Sequence, residues 1–136
     1  VWQQYGTIND GDASLIHLTT TSGVQVAITG TRHDPVGHDV HMEVFGSHDS
    51  IAVGLGGRAP LHAMAAEANF NRNPYRGFVD RFREAFRQET RAFVDLVTGT
   101  RDNPCPPQAA IEATRIALAC EQSARTGAVV RVDEID

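Results

Sequence analysis

Between His33 and Ser47 the chain reads HDPVGHDVHMEVFGS, which places three histidines and three acidic residues in fifteen positions. Five of the six histidines, at 33, 38, 41, 48 and 62, fall within thirty residues. Imidazoles and carboxylates at that density suit either a metal ion or the hydroxyls of a polar ligand. On a strand, His41 and Glu43 project from the same face, as metal ligands two residues apart do. His38 has the opposite parity, His33 and His48 sit in flanking turns, and no cysteine lies nearby, so the pattern is expected to hold no metal.

Other chemistry is equally incomplete. Ser47 lies in FGSHD, without the G-x-S-x-G elbow of a serine hydrolase. GLGG at 54–57 lacks the G-x-G-x-x-G spacing and the helix that must follow it to cradle phosphates. All twelve basic residues are arginine, so a mechanism that needs lysine cannot be complete here. No catalytic residue is assigned within the chain.

The elements that position these residues can be read from periodicity. Two strand-like runs, 14–19 and 24–31, flank a Thr-Thr-Ser-Gly turn and predict a hairpin. Val24, Val26 and Ile28 alternate with Gln25, Ala27 and Thr29, the pattern of a sheet with one face buried and one free. A third strand is expected over 39–45 and a fourth in SIAVGL, completing a four-stranded antiparallel unit. Residues 56–75, rich in Gly, Pro and Asn, read as a long connection. From Gly77 the period becomes helical, with Phe78, Phe82, Phe86, Phe93 and Val97 along one stripe facing the sheet. Arg83, Glu84, Arg87, Arg91 and Asp95 on the other face read as solvated charges with local partners. TGTRDNPCPP breaks the chain, Pro107 suits the first turn of a second helix over 108–126, and a last strand is expected at 128–132. The fold class is therefore α+β: an open, mainly antiparallel sheet with two long helices packed on one face.

At 136 residues the chain is one domain's worth. A net charge of -5 argues against nucleic acid as a partner, and no apolar run reaches membrane-spanning length. Cys105 and Cys120 read as reduced thiols in a cytoplasmic protein. The chain starts at Val1 rather than methionine, so it is expected to be a cut or processed piece.

In order along the chain, four stretches carry a family pattern. DASLIHLTTTSGVQVAITGTR resembles D-x-A-x-V-x-L-x-F-x-x-G-x-x-x-x-I-x-G-x-R, and GHDVHMEVFGS resembles G-Y-D-x-x-x-E-V-F-G-S. FVDRFREAFRQETRAFVDLVTGT and ATRIALACEQSARTGAVVRV resemble the helix and the close that follow in the same pattern. The pattern is that of the C-terminal domain of the glucose-fructose oxidoreductase and inositol dehydrogenase (Gfo/Idh/MocA) family. The resemblance implies an NAD(P)-dependent dehydrogenase of sugar or cyclitol hydroxyls, forming a homo-oligomer through the open sheet face. Residues 1–136 would be the later part of its substrate-binding and oligomerisation domain. The NAD or NADP site and the catalytic lysine would belong to an N-terminal Rossmann domain absent from this chain. In cyclitol-acting relatives the tyrosine of G-Y-D reaches substrate; here His38 takes its place, followed by Asp39, and Phe86 stands where the helix carries a second tyrosine near substrate. His38, Asp39 and Phe86 are thus the expected substrate-binding residues. A non-enzymatic domain that dimerises or binds a ligand through its sheet is the alternative, and the sequence upstream of Val1 would separate the two.

Overall fold

The computed structural model describes residues 6–8, 10–33, 36–59 and 73–135. The expected connection over 56–75 and His62 lie largely or wholly outside them. The chain divides into two units, Val1–Glu89 and Thr90–Asp136.

The first unit opens with a short 3-10 turn, Gly6–Ile8, and the hairpin of β1 (Ala13–Thr19) and β2 (Gln25–Thr31). The Thr20 hydroxyl accepts from the Val24 amide at 2.9 Å, and Gly23 sits at φ 88°, which closes the turn where the Ser-Gly pair announces it. Ile16 pairs with Ile28 and Leu18 with Val26, so the apolar face expected on β2 continues across β1. At the open end Arg32 meets Asp10 at 2.5 Å, and His33 Nε2 lies 2.7 Å from Asp12 Oδ1. The turn histidine thereby ties the hairpin's two ends together.

β3 (Met42–Phe45) and β4 (Ser50–Val53) form a second antiparallel pair, with Met42 opposite Val53 and Val44 opposite Ile51. Among the described residues the four strands thus pair two by two rather than in one ladder. β3 also begins three residues later than its alternation suggests. The His38 amide donates to the Tyr75 carbonyl at 2.6 Å and the Val40 carbonyl accepts from Arg81 at 3.1 Å, so these backbone groups are engaged outside any ladder.

The expected single helix from Gly77 is bent. α1 (Phe78–Arg81) and α2 (Arg83–Val97) meet at Phe82, whose φ of -107° and ψ of 18° leave the helical basin. The backbone hydrogen bonds nevertheless run through the bend, from Phe82 to Phe78 and from Phe86 to Phe82. The break follows directly on Asp80 and Arg81, the two residues whose side chains are tied to the preceding segment. α2 presents the expected solvated charge pattern, with Glu84 and Arg87 3.5 Å apart. Its aromatic stripe is not covered as its period suggests: Phe86 is 43% exposed and Phe93 64%. Among the described residues only Ala59 and Ala119 are buried apolar residues, each about 5% exposed.

In the second unit α3 runs Pro107–Thr126, with Pro107 in its first turn, and closes at Gly127, whose amide donates to Ser123 O. The strand expected at 128–132 does not form. The Ala128 carbonyl is taken by the Ser123 hydroxyl at 2.7 Å, and Arg131 turns back on Asp133 at 2.6 Å. The chain therefore curls into a 3-10 turn, Val132–Glu134, leaving Val129 fully exposed. Both cysteines are free thiols. No helix among the described residues is long and apolar enough to cross a membrane.

Candidate functional site

Half-buried residues around His38 gather several polar groups in the first unit. Gly37 opens this stretch: a Cβ there would lie 2.5 Å from the Tyr75 carbonyl oxygen, so only glycine lets that carbonyl reach the His38 amide. The His38 ring meets the Phe82 ring edge-on, with centroids 6.0 Å apart. Such a contact restrains the imidazole while leaving its ring nitrogens available for hydrogen bonds.

Asp39 follows, and its Oδ2 lies 2.6 Å from His41 Nδ1. His41 Nδ1 can donate its proton to this carboxylate, and in the neutral ring that leaves Nε2 as the accepting nitrogen. Asp39 Oδ1 is shielded from solvent and has no hydrogen-bond partner among the described residues. The structure therefore joins two residues of the opening motif as an Asp–His pair, a pairing that the parity argument, framed around Glu43, misses.

Behind His38 lie two arginines and a tyrosine. The Arg58 guanidinium lies 4.2 Å from the centre of the Tyr75 ring, donates to the Asn73 carbonyl at 3.0 Å and grips Asp80 at 2.7 and 3.3 Å. Arg81 lies over the same Tyr75 ring at 5.0 Å and over Phe82 at 5.2 Å, and donates to the carbonyls of Val40 and Gly54. The hydrogen bond from Arg58, ahead of any other influence, holds the Asp80 carboxyl below the usual carboxylate range. Arg81 was legible only as the arginine of the helix pattern; its reach of 41 residues back to Val40 leaves no local trace.

Phe86, the third expected substrate residue, lies one turn beyond Phe82. Its ring stacks edge-on against Phe78 at 6.4 Å, whereas the ring that meets His38 is that of Phe82. A shallow groove of about 340 Å³ in the second unit is lined by Leu118, Glu121, Gln122, Arg125, Glu134 and Ile135, none of which carries the motif chemistry. Among the described residues no three His, Cys, Asp or Glu side chains gather as metal ligands do. After β4 the amides of Gly56 and Ala59 donate to Gly54 O and Gly56 O, so among the described residues these two donors are spent on the loop itself rather than offered to a phosphate.

Residues 11–132 match the C-terminal alpha/beta domain of the oxidoreductase family Gfo/Idh/MocA, and the chain belongs to that family. It is 35% identical over 127 residues to a myo-inositol dehydrogenase of Streptomyces leeuwenhoekii, covering 90% of this chain and 37% of that protein. It is 30% identical to the scyllo-inositol 2-dehydrogenase (NAD(+)) of Bacillus subtilis, covering 96% of this chain and 37% of that one. The crystal structure of myo-inositol 2-dehydrogenase from Lactobacillus plantarum superposes with a TM-score of 0.78 at 26% identity, over 94% of this chain and 38% of its own. The chain thus spans less than two-fifths of the length of the curated relatives it matches.

Proposed function

We propose that this chain is the substrate-binding and oligomerisation part of an NAD(P)-dependent oxidoreductase that acts on a sugar or cyclitol hydroxyl. The observation that carries the reading is the family match over residues 11–132, in which inositol dehydrogenases stand among the relatives. The site geometry is compatible with it. His38, held through its own amide and its ring, offers an imidazole that donates to or accepts from a polyol hydroxyl, and Asp39, the next residue, orients a second imidazole, that of His41. Phe86 contributes an apolar wall without a hydroxyl. NAD or NADP supplies the hydride acceptor from the N-terminal domain that this reading requires, and the residues of this chain take no part in holding it.

The apolar side chains that β1–β4 and α2 leave exposed support the oligomerisation half of the reading, since monomeric proteins rarely leave such faces uncovered. The deciding experiment is to supply the whole protein with NAD+ or NADP+ and a panel of cyclitols and sugars. Cofactor reduction with myo- or scyllo-inositol is expected, and a protein that reduces neither cofactor with any polyol sinks the assignment.

A further inference from the structure

We propose that Arg81 is the positioning residue of the substrate site, fixing where the His38 imidazole points; this rests on His38 being the substrate contact. Four contacts form a closed circuit. The His38 amide is held by the Tyr75 carbonyl at 2.6 Å. The Tyr75 ring lies under Arg81 at 5.0 Å. Arg81 also lies over Phe82 at 5.2 Å, and the Phe82 ring abuts the His38 ring at 6.0 Å. Arg81 is the one member that touches both the ring bearing on the imidazole and the residue holding the His38 backbone.

The same guanidinium also clamps the strand on the other side of His38. One terminal nitrogen donates to Val40 O at 3.1 Å and to Gly54 O at 3.3 Å, so the segment from His38 to Val40 is pinned at both ends. Gly54 permits this. It sits at φ 95°, and a Cβ there would approach Val40 O to 2.5 Å and the Arg81 terminal nitrogen to 3.0 Å.

The alternative, an arginine serving only to hold α1 to the strands, fits Arg58 better. Arg58 pairs with a carboxylate, Asp80, whereas among the described residues Arg81 makes no ion pair and its Nε is shielded with no hydrogen-bond partner. An arginine that leaves a donor unmet and spends its contacts on two carbonyls and two rings is placed by geometry rather than by charge pairing. Lysine could reach the carbonyls but would lose the planar stacking on Tyr75 and Phe82.

The test is a double-mutant cycle in the whole protein, assayed with NAD+ and whichever of myo- and scyllo-inositol it oxidises faster. Arg81→Met is expected to raise KM about five-fold with kcat little changed, and to add less than two-fold when His38 is already alanine. Equal factors in both backgrounds, or an unchanged KM, overturn the proposal while leaving His38 as the contact. A silent His38→Ala, or oxidation of neither polyol, overturns the substrate-contact reading and this inference with it. Should Arg81→Met lose its cooperative thermal transition, Arg81→Lys enters the same cycle, with the same dependence on His38 expected and the same outcomes decisive.

Discussion

Arg58 and Asp80 meet through both terminal nitrogens of the guanidinium and both carboxylate oxygens, at 3.3 and 2.7 Å, across 22 residues of sequence. This fork fixes the first turn of α1 to the segment after β4, and Tyr75 packs beneath the guanidinium. A planar, two-point contact of this kind sets an orientation that a single ammonium cannot.

The fork has a pH signature. The hydrogen bond from Arg58 lowers the Asp80 pKa, so the ionised carboxylate is favoured in the folded state. A depressed carboxylate contributes stability that is fully present above its unfolded pKa of about 3.9 and is lost as pH falls through the lower folded value. Asp80→Asn should therefore lower Tm at neutral pH and shrink the difference from wild type in strong acid. Thermal unfolding across the acid range checks this, and a difference independent of pH speaks against the fork.

Gly54 should tolerate no side chain. Gly54→Ala forces a Cβ against Val40 O at a backbone angle that side chains rarely adopt, and about 1–3 kcal/mol of stability is expected to be lost. Gly56→Ala, with nothing within 4 Å of the added atom, is the control and should cost far less. Urea unfolding of the two variants settles it; equal midpoints would show that the close approach of β4 to Val40 is not required.

His38 and its neighbours should separate kinetically. In the whole protein, His38→Ala removes a contact to a hydroxyl worth about 1–2 kcal/mol, raising KM about five- to thirty-fold with kcat little changed. His33→Ala should leave kinetics unaltered and lower Tm, because its ring is joined to Asp12 at the mouth of the β1–β2 hairpin. A metal centre would instead make alanine at His41 or Glu43 abolish activity along with bound metal, which elemental analysis would reveal.

The isolated chain should not bind NADH. The Gly56 amide of its glycine-rich run is spent on Gly54 O, and the run lacks the G-x-G-x-x-G spacing that cradles a dinucleotide's phosphates. Titration followed by cofactor fluorescence should show no saturation in the micromolar range; saturable binding would falsify the placement of the cofactor site elsewhere.

Self-association should be visible by sedimentation. Leu15, 77% exposed on β1, and Phe45, 78% exposed on β3, belong to sheet faces that water penalises. A dimer or larger species is expected at tens of micromolar, roughly the range in which modest apolar interfaces assemble. A monomer under those conditions removes the sheet as the assembly surface.

Local pattern made the hairpin legible, because alternation and a Ser-Gly turn act within a few residues. Both helices showed for the same reason, through their apolar stripe and through Pro107. The terminal strand misled because Val129 and Val130 carry β propensity, yet no described strand pairs with them and Ser123 takes the Ala128 carbonyl. Around His38, the motif drew attention to His38 and Asp39 as expected substrate contacts, while the neighbouring Tyr75, Arg58 and Arg81 stayed hidden. Their contacts join residues tens of positions apart, and nothing in the spacing of an arginine says which carbonyl it will find.

The break at Phe82 separates the turn that grips the preceding segment from the long helix that follows. α1 is a single turn whose Asp80 and Arg81 both reach back to the segment before it, and beyond Phe82 the chain continues as the fifteen residues of α2. Substitutions along α2 can therefore change the surface it presents without re-aiming the guanidinium, and changes in α1 can alter the surroundings of His38 without unravelling the long helix. A lineage carrying this joint can vary the two stretches one at a time.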